Sequence, residues 1–319
     1  MNVKIRDFVG KYKIFFGIAI SVFAIGIACN IIFGATLAIE FTGGAIIEYA
    51  YTGTIDENEL KDFIQEETET QVSFNVSKNI IAGDSAVDGY KVSVQFAGDD
   101  AIDLETQKSL TTALEKKYPD NNFEENEIRS VESSMGWKFF AKCITAVIVA
   151  CVLMVIYVTL RFKKINGLSA GMMALVALFH DVLIVYFTFV ILRMPIDSNF
   201  IAVVLMILGY SLNDTIVIYD RVRENSHIEG GQLAPSMLFN KSASQVLKRT
   251  ICTSITTLTA ITCVYGVAVY FGLDSVITFA LPMMVGVVSG CYSSICIAGP
   301  LWVMWQEKKS VNTKGRKRA

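Results

Sequence analysis

Six stretches of this chain are apolar almost without interruption, at roughly 14–38, 137–160, 168–192, 198–219, 251–271 and 276–305. A helix needs about 20 mostly apolar residues to cross the hydrocarbon of a bilayer, so each stretch is predicted to span a membrane. Between the first two the pattern changes. Residues 45–53 (AIIEYAYTG) are rich in β-branched and aromatic types, and 71–79 (QVSFNVSKN) and 90–98 (YKVSVQFAG) alternate apolar with polar, as half-buried strands do. Residues 126–134 (NEIRSVESS) supply a closing strand. Two helices are predicted among them. The segment 56–67 (DENELKDFIQEE) has an acidic first turn that suits a helix N-terminus, and 103–119 (DLETQKSLTTALEKKYP) is stopped by Pro119. The order β-α-β-β-α-β is the ferredoxin-like α+β arrangement.

The predicted architecture is therefore a polytopic α-helical membrane protein of six transmembrane helices, with one ferredoxin-like α+β extracytoplasmic domain between helices 1 and 2. Its parts are an N-terminal tail with the first helix (1–38), the extracytoplasmic domain (39–135), helices 2–6 (136–306) and a basic tail (307–319). The first apolar run is too long for a cleavable signal peptide and no small-residue cleavage site follows it, so it is expected to remain as an anchor.

Charge fixes the expected orientation. The N-terminal tail and the segments 161–167, 220–250 and 308–318 hold 18 Lys and Arg residues, whereas the two short loops on the other side hold only Arg193. Lys and Arg collect on the cytoplasmic side of membrane proteins, which puts both termini in the cytoplasm. Between Glu40 and Glu132 there are 21 acidic and 7 basic residues, a net of −14. An acidic outer domain on a basic-footed bundle excludes nucleic acid as a partner. All seven cysteines (Cys29, Cys143, Cys151, Cys252, Cys263, Cys291 and Cys296) fall in spans, so no disulfide framework and no metal site is expected, and they read as small buried hydrophobes.

The outer domain carries no catalytic constellation: it has no His, no Cys and no phosphate-binding loop. No enzyme activity and no cofactor are expected. Candidate chemistry lies instead in polar residues at membrane depth, where each is expensive, by roughly 2.5–3.5 kcal/mol for a central carboxylate on insertion scales. Asp214 and its neighbour Asn213 sit inside the fourth span, with Asp214 about 24 Å from the start of that helix at 1.5 Å per residue. His180 and Asp181 occupy the third span. Being adjacent, they point about 100° apart on a helix and cannot both face one ligand, so a structural hydrogen bond is the expected role. The fifth span opens with Arg249 followed by Thr250, Ser254 and Thr257 at helical spacing, a hydroxyl stripe able to hold a file of water. Spans four and five are antiparallel, so Asp214 and Arg249 are expected to pair. Arg249 equally suits snorkelling to the interface, and the hydroxyls equally suit helix packing. Gly43 and Gly44 read as a turn into the first strand; Gly209, and Gly286 with Gly290 in "GVVSG", read as close helix packing. Trp302 and Trp305 suit an aromatic belt.

No G-x-x-x-x-G-K-[ST] loop occurs, so any work must draw on an ion gradient or a partner. Taken in order, "FTGG" (41–44), "ALFHD" (177–181), "GYSLNDTIVIYDRVREN" (209–225), "LKRTICTSITTL" (247–258) and "GCYSS" (290–294) closely resemble the SecD/SecF family of protein-export subunits, within the resistance-nodulation-division superfamily. The likeness runs from about residue 38 to residue 299. It implies a SecD partner with a related six-span bundle, docking on the SecYEG channel, a translocating preprotein as cargo, and YajC or YidC as further neighbours. It also implies a place in the bacterial cell membrane and use of the proton or sodium motive force for late-stage preprotein translocation, with Asp214 and Arg249 matching the family's ion path. Asn213 stands beside them, and the residues themselves suggest His180, Asp181, Thr250 and Ser254 as supporting residues. The alternative reading is a small-molecule or lipid exporter of the same superfamily. That reading calls for two large outer domains on twelve spans, where this chain has one small domain on six.

Overall fold

The structure is a computed structural model. It describes residues 4–68, 72–79, 89–97, 104–131, 133–230, 232–271 and 273–316. Six long helices are apolar enough to cross a membrane: α1 (Tyr12–Phe33), α5 (Ser133–Arg161), α6 (Gly167–Ile191), α7 (Ser198–Ile228), α8 (Pro235–Phe271), and a last span made of α9 (Asp274–Ser293), a π-helical segment (Ser294–Ala298) and α10 (Gly299–Arg316). The chain is a multi-pass membrane protein. Helices α6 and α7 form the centre of the bundle, with about half of their apolar windows buried, while α1, α5 and α8 lie outside.

Between α1 and α5 stands a domain of α2 (Ile39–Thr42), β1 (Gly44–Thr52), α3 (Glu57–Thr68), β2 (Val72–Asn79), β3 (Gly89–Ala97), α4 (Leu104–Lys117) and β4 (Glu124–Val131). The sheet is antiparallel throughout, in the order β2-β3-β1-β4. Period-two alternation sends Ile47, Tyr49 and Tyr51 of β1 and Val92, Val94 and Phe96 of β3 to one face, where Leu60 and Ile64 of α3 and Leu110 and Leu114 of α4 cover them. The other face is polar, with Lys91 paired to Glu48 at 2.7 Å. Element boundaries fall within about two residues of the sequence expectation, except at the exit: β4 ends at Val131, three residues early, and α5 begins at Ser133. Positions 71, 98, 103 and 132 of the expected elements, and residues 317–319 of the expected tail, lie outside the described residues.

The domain's root is built from the segment expected to finish the first span. Helix α1 stops at Phe33, five residues early, because the chain beyond it bonds sideways to the α6–α7 connection. Ile196 N–H donates to Thr36 O at 2.8 Å, Ala38 N–H to Ile196 O at 3.0 Å, and Ser198 N–H to the Glu40 carboxylate at 2.9 Å. "FTGG" is then more than a turn: Phe41 and Thr42 finish α2, and Phe41 is buried against the rings of Phe139 and Phe140 on α5. Gly43 and Gly44 have φ of 82° and 132°, and a Cβ on Gly44 would strike the Phe96 carbonyl.

At the opposite end the helices outrun the apolar pattern. Helix α7 continues nine residues past the expected end and α8 starts 16 residues early. Their polar extensions satisfy each other: Asn225 donates to Ser242 and to Gln245, both at 2.8 Å, and Arg221 donates to Gln245 at 2.6 Å. The N-terminal segment is tied there too, with the Phe8 and Val9 N–H groups on Asn240. Two further expectations are corrected. Only Cys296 of the seven free cysteines is buried, and Cys252 and Cys263 are exposed on α8. Trp302 is enclosed by the bundle beside Tyr219, whereas Trp305 is exposed as a belt residue is.

Burial pushes the Tyr49 and Tyr51 phenols up to about 12. A phenol whose folded-state pKa is raised favours folding below its unfolded value, near 10, and that contribution is lost as pH climbs from there toward 12. Segment 39–135 expressed alone is expected to melt cooperatively by circular dichroism, with its melting temperature falling above pH 10 and falling less in Tyr49→Phe. A gradual, non-cooperative melt would contradict the independent core.

Candidate ion-path site

Helix α7 is capped by Asp197, whose carboxylate accepts from Phe200 N–H at 3.1 Å, and it then carries polar groups inward at Ser211, Asp214 and Thr215. Spacings of three and four residues place these on one side of a helix. They serve two neighbours.

Toward α6 and α9 the contacts are dense. The Asp181 carboxylate on α6 is fully buried and accepts three hydroxyls, from Ser211 (2.6 Å), Ser289 (2.6 Å) and Ser293 (2.7 Å). His180 Nδ1 adds a fourth contact at 3.1 Å, and Ser289 also lies 3.5 Å from that nitrogen. The expectation that His180 and Asp181 cannot share a partner is thus overturned: the side chains converge on Ser289 although their Cα–Cβ vectors diverge. One step along α7, Thr215 donates to Ser294 at 2.9 Å, and Ser294 donates to Ser211 O at 3.1 Å. Ser294 opens the π-helical segment, and such segments arise where a helix carries one residue more than the α repeat allows. Gly286 and Gly290 let α9 approach this closely. A Cβ on Gly286 would press on Ile207 and Val185, and one on Gly290 would lie 3.0 Å from Ser211 Cβ. These serines were not anticipated from sequence. Their only signal is polar residues at spacings of four and five in "SGCYSS" (289–294), which also reads as small-residue packing.

Toward α8 the site is open-handed. Asp214 is 3% exposed and its Oδ2 is buried without a hydrogen-bond partner. One turn earlier, the Tyr210 hydroxyl donates to Ser254 of α8 at 3.4 Å, joining α7 to α8. Thr250 and Ser254 are buried as the hydroxyl stripe predicts, and Thr257 is half-buried. The expected pairing of Asp214 with Arg249 does not form: among the described residues no ion pair joins them, and Arg249 is exposed, acting on Asp214 only at Coulombic range. The reason is helical geometry, since turning Thr250 inward turns its neighbour Arg249 about 100° away. Asn213 is likewise exposed, off the buried face. A Cβ on Gly209 would meet nothing within 4 Å, so the expected close helix packing is not seen there among the described residues. Among the described residues no group of His, Cys, Asp and Glu is arranged to hold a metal ion.

Residues 110–308 match the model of the C-terminal region of the protein export membrane proteins SecD/SecF. The chain belongs to the SecD/SecF family. It is 30% identical to the protein translocase subunit SecF of Petrotoga mobilis, over 97% of this chain and 98% of that one. It is 32% identical to SecF of Sebaldella termitidis, over 84% and 81%. Among solved structures it resembles SecDF, a translocon-associated membrane protein from Thermus thermophilus, with a TM-score of 0.77 and 26% identity over 95% of this chain. It spans only 39% of that SecDF chain, whose name joins SecD to SecF. In this SecD/SecF bundle, two glycines of α7 and α9 have opposite prospects. Gly286→Ala is expected to cost about 1–3 kcal/mol through overpacking against the buried Ile207, whereas Gly209→Ala is expected to be neutral or stabilising by up to about 1 kcal/mol through helix propensity. Thermal unfolding of the two purified variants measures the difference, and equal shifts would contradict the packing described.

Proposed function

We propose that this chain is the SecF-type subunit of a Sec protein translocase, working with a SecD partner on the SecYEG channel to drive late-stage preprotein translocation with the proton, or sodium, motive force. In this reading both termini are cytoplasmic, and the domain between α1 and α5, ferredoxin-like in its strand order, lies outside and moves the preprotein. The named relatives, translocase subunits with near full-length coverage, support the export role. The observation that carries the ion coupling is Asp214: a carboxylate at membrane depth whose enclosed oxygen has no hydrogen bond to offset its burial. A permanently structural carboxylate would be satisfied as Asp181 is. Asp214 is held where a proton can be taken up and released.

Arg249 supplies the second half. It is a cation on the outer surface of α8, exposed and without an ion-pair partner among the described residues. In a complex its counter-charge would come from the partner bundle, consistent with the solved SecDF chain in which the region like this one is 39% of the whole. The partner then faces Arg249 and, through it, Asp214. Movement of α7 would reach the outer domain through the bond from Ser198 N–H to Glu40 at the domain's root.

Asp214→Asn keeps the shape and removes the charge change. In oriented vesicles holding the assembled translocase it is expected to abolish gradient stimulation of preprotein release while leaving co-purification with SecD intact, and Arg249→Met is expected to do nearly the same. Full gradient stimulation in Asp214→Asn would refute the reading.

A further inference from the structure

Little of the apolar stretch of α8 is buried inside the chain, and beside its contact with α9 lies a concavity of about 330 Å³. Ile251, Ile255 and Leu258 of α8 form one wall, and Val288 and Tyr292 of α9 form the other. Phe8, whose N–H is tied to Asn240 near the start of α8, lines that end. The hydroxyls along the groove are engaged elsewhere, Ser254 with Tyr210 of α7 and Tyr292 with Phe15 O at 2.6 Å. The groove is open at the side, since Ile251, Ile255 and Val288 are 40%, 57% and 55% exposed. In a chain that crosses a membrane, that exposure is to lipid.

Cations gather at the end that Phe8 lines. Lys248 is exposed, and at 3.6 residues per turn it shares a sector of about 80° on α8 with Ile251, Ile255 and Leu258. Arg6 is brought to the same place by its backbone N–H, which donates to Ser244 at 2.8 Å, one turn before Lys248. Lys4 and Lys11 are exposed on the same N-terminal segment. Asp7, the acid of that segment, is turned onto Gly10 N–H at 2.7 Å and Asn240 at 2.8 Å. Lys241 of α8 is already paired with Glu229. Among the described residues no ion pair engages Arg6, Lys11 or Lys248.

Any apolar face of a membrane helix meets lipid, but a groove with basic side chains at its mouth can hold one lipid in place. We propose that the groove between α8 and α9 binds one anionic phospholipid, with an acyl chain along Ile251, Ile255 and Leu258 and the phosphate between Lys248 and Arg6. Charge complementarity decides the occupant. An apolar helix of a partner would cover the walls and leave the cations without counter-charge, and a zwitterionic lipid brings a cation of its own. Long Lys and Arg side chains reach headgroup level while their stems lie along apolar surface, which suits Lys248 at the groove's end. The sector lies about 100–180° round α8 from Arg249, so a partner facing Arg249 and a lipid here use different sides of the helix. The site is separate from Asp214 and stands whether or not that residue carries protons. Bound there, the lipid fills the wedge that α8 leaves beside α9 and ties both helices to the leaflet at the basic end.

The test uses the purified full chain, delipidated in detergent and titrated with dioleoyl phosphatidylglycerol, dioleoyl phosphatidylcholine or inorganic phosphate under native mass spectrometry. One phosphatidylglycerol per chain should be retained about tenfold more tightly than phosphatidylcholine, as two basic side chains at a headgroup supply, and free phosphate should not displace it. Lys248→Gln with Arg6→Gln should remove most of that preference. Ile255→Trp, at an exposed position, should fill the groove and weaken retention of both lipids. Lys163→Gln with Lys164→Gln, exposed lysines of the α5–α6 connection, should behave as the parent. A preference that survives the Lys248 and Arg6 changes, or falls equally with the Lys163 and Lys164 changes, reports diffuse attraction to the basic end and overturns the proposal. Retention unaltered by Ile255→Trp overturns it too. In intact membranes, a benzophenone side chain placed at Ile255 should give a phospholipid adduct; a protein-sized adduct would make a partner helix the occupant and contradict the lipid site.

Discussion

A buried carboxylate inside an apolar bundle must be supplied with hydrogen bonds by the protein, because lipid offers none, and the centre of this structure is arranged around doing so for Asp181. Three serine hydroxyls from two other helices reach it, each at 2.6 or 2.7 Å, with His180 beside it. Those lengths are in the range of charge-assisted bonds, the strongest kind available to side chains. The requirement propagates outward. Helix α9 can deliver Ser289 and Ser293 only by approaching α7 closely, which needs Gly286 and Gly290. Continuing past that point in step with α7 needs Ser294, whose bonds to Thr215 and to Ser211 O coincide with the π-helical segment.

The same helix that satisfies Asp181 leaves Asp214 unsatisfied, three residues beyond Ser211. The contrast is informative because the environment is shared: both carboxylates are buried, both lie at membrane depth, and hydroxyls are near both. Hydroxyls are spent on one and withheld from the other. On the proposed function, the first anchors α6, α7 and α9 as one body, and the second, at the seam between that body and α8, is where a proton changes the charge. The root of the sheet domain is laced to the far end of the same α7 through Ser198 and Glu40, so the seam and the domain share a helix.

Much of this was legible in the sequence, and the exceptions share a cause. Apolar runs placed six spans, and two-residue alternation placed β2 and β3 to within about one residue, because burial on one face writes a period into the chain. The stripe of Thr250, Ser254 and Thr257 was readable for the same reason. What a period cannot carry is which helix answers which. The polar ends of α7 and α8 looked like a loop because Asn225, Ser242 and Gln245 are satisfied only by each other. Arg249 looked like a partner for Asp214 by nearness along the two helices, yet the inward turn of Thr250 sends it outward. Ser289 and Ser293 stood out in no pattern because their common acceptor lies 108 and 112 positions away.

The two carboxylates differ in kind, Asp181 satisfied by three hydroxyls and Asp214 with an enclosed oxygen that has no hydrogen bond. Thermal unfolding of the purified full-length chain carrying Asp181→Asn or Asp214→Asn, side by side, tests it most directly. Replacing Asp181 weakens charged hydrogen bonds at the centre, each worth about 1.5–3 kcal/mol, and should lower the melting temperature by several degrees. Replacing Asp214 removes a buried charge without a hydrogen bond on its enclosed oxygen and should leave the melting temperature unchanged or raise it. A loss of stability in Asp214→Asn as large as in Asp181→Asn would contradict the account.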